Sequence, residues 1–400
     1  MSEWTKVKLG DVCQIMDGDR GKNYPKNHEF FGSGYCLFLN TGNVTKEGFS
    51  FANNQFITKE KDELLRKGKI KRGDLILTTR GTVGNIAYYT NHIKYENVRI
   101  NSGMVILRVN KENVDASFLY QLVRSKESRT YINSFCTGSA QPQLPIKNLS
   151  QICFEIPSLS TQHRIATILS RYDSLIENYQ RQMKLLEEAA QRLYKEWFVD
   201  LHFPGHETTK IVDGVPEGWE KKKLHEIAEV VMGSSPKSEF YNNDKQGLPF
   251  HQGVGSYGTR FVDDNVYSIS ITRLAEPNSI LFSVRAPVGR LNITKNKIII
   301  GRGLAAMNHK DGFQSFLFYM LKERFFMDNI IGNGSIFASI SKVELLDQEF
   351  IVPPMKTIKA FESLASKLDK KIQGVDTQLR LLIEARDRLL PKLMSGEITV

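Results

Sequence analysis

The sequence predicts an α+β protein in which two similar globular units alternate with two long helices that pair as an antiparallel coiled coil. Three observations lead to this fold class. Much of the chain occurs twice, and each copy ends in an apolar pattern with heptad-like spacing. Each copy also contains short apolar runs that are typical of strands, such as residues 75–77 and 297–300.

The internal repeat is the clearest feature of the sequence. The opening around Trp4 returns around Trp219, and residues 73–84 return as residues 278–289. Further matched pairs are residues 100–104 with 300–304, Gly138-Ser139 with Gly334-Ser335, and Ile156-Pro157 with Val352-Pro353. The separation between matched positions shrinks steadily along the chain, so the second copy has lost short pieces between shared anchors. One scaffold that carries two different sets of loops is typical of proteins that recognise ligands through loops.

Each copy ends in a predicted long helix. Between Thr161 and Phe198, apolar residues recur every three or four positions without an intervening Gly or Pro, which is about 57 Å of helix at 1.5 Å per residue. The second copy repeats the pattern from Phe361 to Leu393, where we expect Gly374 to weaken the helix and Pro391 to bend or end it. One apolar stripe per helix favours an antiparallel pair. The alternative is that each helix packs on its own globular unit as ordinary core.

These patterns set the expected domain boundaries. We expect a first globular unit at residues 1–158, a helix at 159–200, a linker at 201–217, a second globular unit at 218–353 and a second helix at 354–400. The linker is assigned because this stretch is polar and contains Pro and Gly.

The charge of the chain suggests a nucleic-acid partner. The 54 Lys and Arg residues exceed the 44 Asp and Glu residues by ten. The excess is +7 in residues 1–160, including a cluster at residues 67–72, but only +1 in residues 201–356. The alternative for the cluster is a solvated loop or strand edge. The two halves are therefore expected to hold nucleic acid differently.

No pattern in the sequence indicates catalysis, a metal site or a bound cofactor. The GxxxxGK[ST] and GxSxG motifs are absent, and the four Cys residues are scattered without CxxC spacing. His202 and His206 are separated by Pro204-Gly205, which prevents the helical i,i+4 arrangement of a metal pair. Residues 352–355 resemble an amino-methyltransferase tetrapeptide only superficially, because both flanking residues differ. Without a signal peptide or a membrane span, we expect a cytoplasmic protein without membrane contact.

The chain resembles the specificity subunit of type I restriction–modification enzymes, and the resemblance covers essentially the whole sequence. The residues that carry it are the Trp4 and Trp219 openings, the segments 73–84 and 278–289, and the run from Gly138 to Phe198 together with the ending at residues 393–398. The second copy departs from the pattern at three places: Gly10-Asp11 becomes His225-Glu226, Gly81 becomes Ala286-Pro287, and Gln162 becomes Ile358.

The resemblance implies that residues 1–158 and 218–353 are target recognition domains. Each would read one half of a bipartite site in double-stranded DNA. The helices would set the spacing between the half-sites and dock two modification subunits, through which restriction subunits join the complex. The chain would be non-catalytic and would bind no cofactor, while S-adenosylmethionine, ATP and Mg are expected on the partner subunits. A stand-alone DNA-binding regulator and an unusual methyltransferase are the alternatives.

Candidate DNA-contacting residues are chosen from the matched loops. Arg80 and Arg285 follow a strand at matching positions and are the first choice, although either could instead hold its own loop by bonding backbone carbonyls. The full set of DNA-binding candidates is Arg80, Thr82, Gln141, Arg285, Arg290, Arg302 and Ser335. The partner-binding candidates, all from the apolar stripes of the helices, are Tyr179, Leu186, Leu193, Trp197, Leu379 and Leu382.

Overall fold

The structure, a computed structural model, describes residues 4–138, 141–325 and 339–400. The chain divides into two compact units. Unit 1 comprises Met1–Asn178 and Leu379–Val400, and unit 2 comprises Tyr179–Gln378. Each unit thus contains one segment of each long helix.

Unit 1 contains eleven described strands and five short helices before the first long helix. The strands are β1 (Thr5–Lys8), β2 (Cys13–Asp17), β3 (Cys36–Leu39), β4 (Val44–Thr45), β5 (Gly48–Phe49), β6 (Phe56–Ile57), β7 (Leu75–Thr78), β8 (Ile86–Tyr88), β9 (Val98–Ile100), β10 (Met104–Val109) and β11 (Cys153–Ile156). The helices are α1 (Leu9–Val12), α2 (Lys59–Leu64), α3 (Ala116–Arg124), α4 (Lys126–Asn133), α5 (Ile146–Gln151) and the long α6 (Leu159–Phe198).

The central sheet of unit 1 is antiparallel, with strand order β2-β10-β7-β8. Successive side chains of its strand β7 point to opposite faces of the sheet, and all four are buried, so both faces of the strand are covered. Leu75 and Leu77 pack with Phe118 of α3 and with apolar residues of α6, whereas Ile76 packs with the second sheet, β6-β3-β9. The unit is therefore layered as helices, central sheet and second sheet.

Unit 2 repeats this plan. Its strands are β12 (Ile211–Val212), β13 (Val215–Pro216), β14 (Glu220–Lys223), β15 (Ala228–Met232), β16 (Tyr241–Asn242), β17 (Leu248–His251), β18 (Tyr267–Ser268), β19 (Leu274–Ala275), β20 (Ile280–Ser283), β21 (Leu291–Ile293), β22 (Ile298–Ile300), β23 (Leu304–His309) and β24 (Glu349–Val352). The helices are α7 (Leu224–Ile227), α8 (Gln314–Phe325), α9 (Lys342–Leu346) and the long α10 (Met355–Met394).

The sheet order confirms the repeat. The central sheet β15-β23-β20-β21 has the same order as its counterpart, and β14 pairs with β24 as β1 pairs with β11. The parallel pair β17–β22 matches the parallel pair β3–β9. The second sheet differs, since in unit 2 it has five strands in the order β16-β18-β17-β22-β19. Mixed helix and strand content agrees with the α+β prediction.

The long helices lie where heptad-like spacing predicts them, and each has 40 residues. Pro391 does not end α10, which continues to Met394. Its ring removes one backbone N–H donor, and the last turn of the helix follows it.

The apolar stripes of the long helices form part of the two cores. In unit 1, Ile165 and Leu169 of α6 share a core with Leu390 and Leu393 of α10. In unit 2, the ring of Phe361 of α10 lies 5.8 Å from Tyr194 and 5.9 Å from Trp197 of α6, measured between centroids. Packing on the globular unit, the alternative to pairing, thus occurs together with contact between segments of the two helices. The coiled coil itself stays a prediction.

Candidate nucleic-acid interface

Arg80 and Arg285 occupy matching exposed loops at the ends of central strands. Arg80 follows β7 and Arg285 follows β20, and both side chains are exposed. Within the residues that the structure describes, neither guanidinium has a hydrogen-bond or ion-pair partner. Both side chains are therefore available to a ligand rather than committed to holding their own loops.

A buried hydroxyl at the end of each strand holds these loops instead. The Thr78 Oγ1 accepts a hydrogen bond from the Asn85 N–H at 3.0 Å and donates to the Thr82 carbonyl. In unit 2, the Ser283 Oγ accepts from the Arg290 N–H at 2.8 Å and donates to the Pro287 carbonyl at 2.6 Å. The same pair of hydrogen bonds thus stabilises both arginine loops, even though Ala286-Pro287 replaces Gly81 in unit 2.

A glycine brings a second segment beside each arginine. The Arg80 N–H donates to the Gly103 carbonyl at 3.2 Å, and a Cβ atom on Gly103 would lie 2.7 Å from the Cγ2 of Thr41. In unit 2, the Val284 N–H donates to the Gly303 carbonyl at 2.9 Å, and a Cβ on Gly303 would lie 2.6 Å from the Gln252 carbonyl oxygen. Only glycine permits this close approach of the two segments.

The other predicted DNA-binding residues are distributed unevenly around these loops. Thr82 and Gln141 are exposed in unit 1, while Arg302 is exposed on the turn before Gly303 in unit 2. Arg290 is half-buried, because it lies where the loop returns to β21. Ser335 lies outside the described residues.

Sequence reasoning missed three residues at these faces, namely Arg20, Ser235 and Gln252. Arg20 is exposed and its Nη2 donates to the Ser102 carbonyl at 3.3 Å. Ser235, which is the repeat counterpart of Arg20, bonds to the side chain of Gln252. Both Arg20 and Ser235 stand two residues after the matched glycines Gly18 and Gly233, so a finer alignment of the two copies would have found them.

We expect Gly233→Ala to destabilise unit 2 by about 1–3 kcal/mol, the range for forcing extra atoms into a packed site. A Cβ at Gly233 would lie 2.1 Å from the carbonyl oxygen of Gly301, and neither backbone can yield without breaking the strand ends. Gly253→Ala is the matched control, because no atom lies within 4 Å of its Cβ position. Urea denaturation of both variants measures the difference, and equal stabilities would contradict the close-approach role.

The basic cluster at residues 67–72 is largely paired within unit 1. Lys67 Nζ lies 3.1 Å from Asp17 and Lys69 Nζ lies 2.5 Å from Asp62. Arg72 donates hydrogen bonds to the carbonyls of Thr90 and Tyr95. These contacts favour the alternative in which the cluster belongs to a solvated loop and strand edge.

The partner-binding candidates on the helices differ in burial. Trp197 and Leu379 are buried, at 8% and 7% exposure, which leaves little of either side chain for a partner to contact. Tyr179, Leu186, Leu193 and Leu382 are half-buried. The exposed leucines of the same helices are Leu175, Leu185, Leu364 and Leu381.

A carboxylate joins the layers of each unit at matching positions of the long helices. In unit 1, Asp173 of α6 accepts hydrogen bonds from Gln121 (2.6 Å), Arg124 (2.9 Å) and Arg386 (3.1 Å). Burial and the charge of Asp173 raise the pKa of the neighbouring Glu177.

In unit 2, Asp369 of α10 accepts hydrogen bonds from the Arg260 Nη2 and the Tyr319 hydroxyl, each at 2.7 Å. Burial raises the pKa of the Tyr319 hydroxyl, which therefore remains a proton donor to this carboxylate. Asp173 and Asp369 thus connect the helices of each globular unit to its long-helix segments.

The described residues offer little catalytic chemistry. They contain no cluster of three His, Cys, Asp or Glu side chains that could hold a metal ion. Burial raises the pKa of the Cys13 and Cys36 thiols to about 12, so neither is a thiolate at neutral pH. His251 contacts Ser256 Oγ at 2.7 Å and Asp264 Oδ1 at 2.9 Å, but its ring is 1% exposed and a substrate could not reach it. Among these residues, no helix combines the length and apolar character needed to span a bilayer.

Comparison with known proteins accounts for the repeat. The model of the type I restriction modification DNA specificity domain matches the chain twice, at residues 1–188 and 216–381. The chain belongs to this family. Each of the two specificity-domain copies comprises one set of sheets and extends into the long helix that follows it, α6 or α10.

Curated relatives in the family match over the full length. The chain is 29% identical to the type I restriction enzyme MjaIX specificity subunit of Methanocaldococcus jannaschii, over all of this chain and 94% of that protein. It is 23% identical to the HindI specificity subunit of Haemophilus influenzae, over the whole of both chains. The crystal structure of a type I restriction–modification S subunit from M. genitalium shares the fold, with a TM-score of 0.61 over 98% of this chain and 96% of that one at 17% identity.

Proposed function

We propose that this chain is the non-catalytic DNA-specificity subunit of a type I restriction–modification complex. The observation that carries the proposal is the twofold match to the specificity domain, with an exposed arginine at the same loop position in each copy. The curated relatives are specificity subunits of restriction enzymes, and no observation favours a stand-alone regulator.

Each unit would read one half of a bipartite site in double-stranded DNA. Lys and Arg side chains neutralise phosphates and provide affinity without sequence information, while loop side chains contact base edges. Arginine is suited to guanine because its fork of donors matches the O6 and N7 acceptors. We assign Arg80 and Arg285 as the central readers, supported by Thr82, Gln141 and Arg20 in unit 1 and by Arg302 and Arg290 in unit 2. Ser335 remains a candidate on sequence grounds.

The long helices would set the spacing between half-sites as an antiparallel coiled coil and would dock two modification subunits. Both helices begin in one compact unit and end in the other, which supports a spacing role. The half-buried candidates Tyr179, Leu186, Leu193 and Leu382 and the exposed Leu175, Leu185 and Leu381 offer apolar surface to those partners. Restriction subunits would join through the complex. S-adenosylmethionine, ATP and Mg would bind to the partner subunits and not to this chain.

A paired helix insertion tests the proposed function. Seven residues are added to α6 between Asn178 and Tyr179, and seven to α10 between Gln378 and Leu379, where the compact units divide. A heptad keeps the apolar stripe in phase and adds about 10 Å. We expect the preferred spacer in the DNA to lengthen by about three base pairs at about 3.4 Å each. Selection from duplexes with randomised half-sites and variable spacers measures the change.

A heptad-length insertion at the exposed Asp213-Gly214 turn is the control, since this hairpin lies outside both long helices. It should leave the spacer unchanged. An unaltered spacer in the helix-insertion variant would refute the spacing role, and the absence of any bipartite motif for the unmodified protein would refute DNA specificity itself.

A further inference from the structure

The side chain of Gln252, directly after strand β17, is exposed, and its amide oxygen is bonded to a neighbouring hydroxyl. The Arg302 N–H donates to the Ser235 Oγ at 3.2 Å, and the Ser235 hydroxyl in turn donates to the Oε1 of Gln252 at 2.7 Å. An exposed glutamine ordinarily samples several rotamers, and fixing it opposes folding through lost conformational entropy.

Close backbone contacts hold the same side chain from the other side. A Cβ atom on Gly301 would lie 2.8 Å from the Oε1 and 3.1 Å from the Cδ of Gln252, so the side chain packs directly over this glycine. The Gly303 N–H donates to the Gln252 carbonyl at 3.1 Å, and the Gly301 N–H donates to the His251 carbonyl at 2.8 Å. The backbone around Gln252 is therefore fixed by hydrogen bonds, while its side chain is exposed.

The oxygen and the nitrogen of the Gln252 amide differ in their hydrogen bonding. The oxygen already accepts the Ser235 hydroxyl, whereas the amide nitrogen, with two N–H donors, has no partner among the residues that the structure describes. Gly303, whose N–H bonds to Gln252, accepts from the N–H of Val284, the neighbour of Arg285, and the exposed Arg285 and Arg302 guanidiniums present donors only. The unpartnered amide nitrogen of Gln252 and the exposed guanidiniums of Arg285 and Arg302 thus favour a ligand that offers hydrogen-bond acceptors.

We propose that Gln252 is a specificity-determining residue of unit 2 and that the base it reads is guanine. A glutamine that reads adenine must accept from N6 while it donates to N7, but here the oxygen bonds to Ser235 and packs over Gly301, which leaves the N–H donors as the groups available to a base. Guanine presents two acceptors, N7 and O6, in the major groove and needs donors alone. Ser235 is then a positioning residue that selects guanine over adenine. This inference rests on the proposed function, because it requires that unit 2 contacts DNA.

The arrangement is specific to the second unit. Asn40 is the counterpart of Gln252 in unit 1, but its Oδ1 accepts from the Gly42 N–H at 2.8 Å and caps its own turn. Arg20 replaces Ser235 at the matching position. The proposal therefore concerns one base in one half-site, and the other half-site serves as an internal reference.

The test is a binding selection with the full chain assembled with its modification subunits. The probe is a duplex library in which both half-sites are randomised. With the unmodified protein, the half-site read by unit 2 contains a guanine whose preference disappears in Gln252→Ala. The expected loss of preference at that position is about tenfold or more, as for a good bidentate contact. Ser235→Ala frees the amide oxygen and broadens the same position to guanine or adenine.

Gln246→Ala provides the matched control, because Gln246 is an exposed glutamine of the same unit. It leaves every position of the motif unchanged. In each variant, an intact motif for the other half-site shows that the protein remains folded and bound to DNA.

Failure of the proposed function and failure of the guanine assignment give different results. If the unmodified complex selects no bipartite motif, the proposed function fails and the reading role falls with it. If the motif is bipartite but Gln252→Ala changes no position, or the position that it changes is adenine, cytosine or thymine, the guanine assignment is overturned while the proposed function stands.

Discussion

Replacing Arg285 by alanine is expected to weaken binding of the complex to DNA that contains the cognate second half-site by about ten- to a hundredfold. The guanidinium is exposed at the end of β20, on a loop that Ser283 holds in place without its help. Its removal therefore deletes a ligand contact and leaves the loop intact. A bidentate contact between Arg and guanine contributes about 1–3 kcal/mol of discrimination against the wrong base.

Two comparisons separate base reading from loss of charge. Arg388→Ala removes an equal charge from an exposed position of α10, where the guanidinium pairs with Glu384 one turn away. We expect this variant to change affinity slightly and equally for all sequences. Arg80→Ala should produce the reciprocal result, with loss of preference in the first half-site only.

Titration of labelled duplexes that carry one altered half-site at a time measures these effects at fixed salt concentration. Equal affinities of the Arg285→Ala and Arg388→Ala complexes for cognate DNA would assign Arg285 to nonspecific electrostatics. A methylation assay of cognate DNA at limiting complex provides a second readout, and unchanged methylation by Arg285→Ala would contradict the reading role.

Asp369→Ala is expected to lower the free energy of unfolding by about 3–5 kcal/mol, the range for a buried charge that loses its partner. Arg260 is 2% exposed, its Nη2 lies 2.7 Å from Asp369, and its guanidinium carbon lies 3.5 Å from the centroid of the Phe318 ring. Among the described residues, the other carboxylate paired with Arg260 is that of Glu187, whose Oε1 lies 4.0 Å from Nη1, too far for a good hydrogen bond. The Tyr319 hydroxyl would lose its acceptor as well.

Urea denaturation followed by tryptophan fluorescence measures this loss, since Trp197 and Trp219 both lie in unit 2. Glu384→Ala is the control on the same helix. It removes an exposed pair with Arg388, which should change stability by about 0.5 kcal/mol or less. A loss for Asp369→Ala no larger than that of the control would show that Arg260 is solvated or compensated elsewhere.

Features that depend on neighbouring residues were predictable from the sequence. The residues 161–198 expected to be helical lie within α6 at Leu159–Phe198, because a 3.6-residue period is a local property. The matched arginines could be placed on loops because each follows a short apolar strand. Pro391 does not end α10, which continues for three residues beyond it, whereas a bend at Pro391 stays a prediction.

The sequence itself determined the internal repeat, the α+β class, the long helices and the matched arginine loops. Repetition and periodicity are properties of the order of residues along the chain. Tertiary structure alone decided that each long helix contributes to two cores, that Trp197 is buried and that Ser235, Gln252 and Arg302 meet. Those outcomes depend on contacts between residues far apart in the sequence, 67 positions for Ser235 and Arg302 and 164 for Trp197 and Phe361. Such contacts leave no periodic pattern, because only the packing of one sheet against the next brings the segments together.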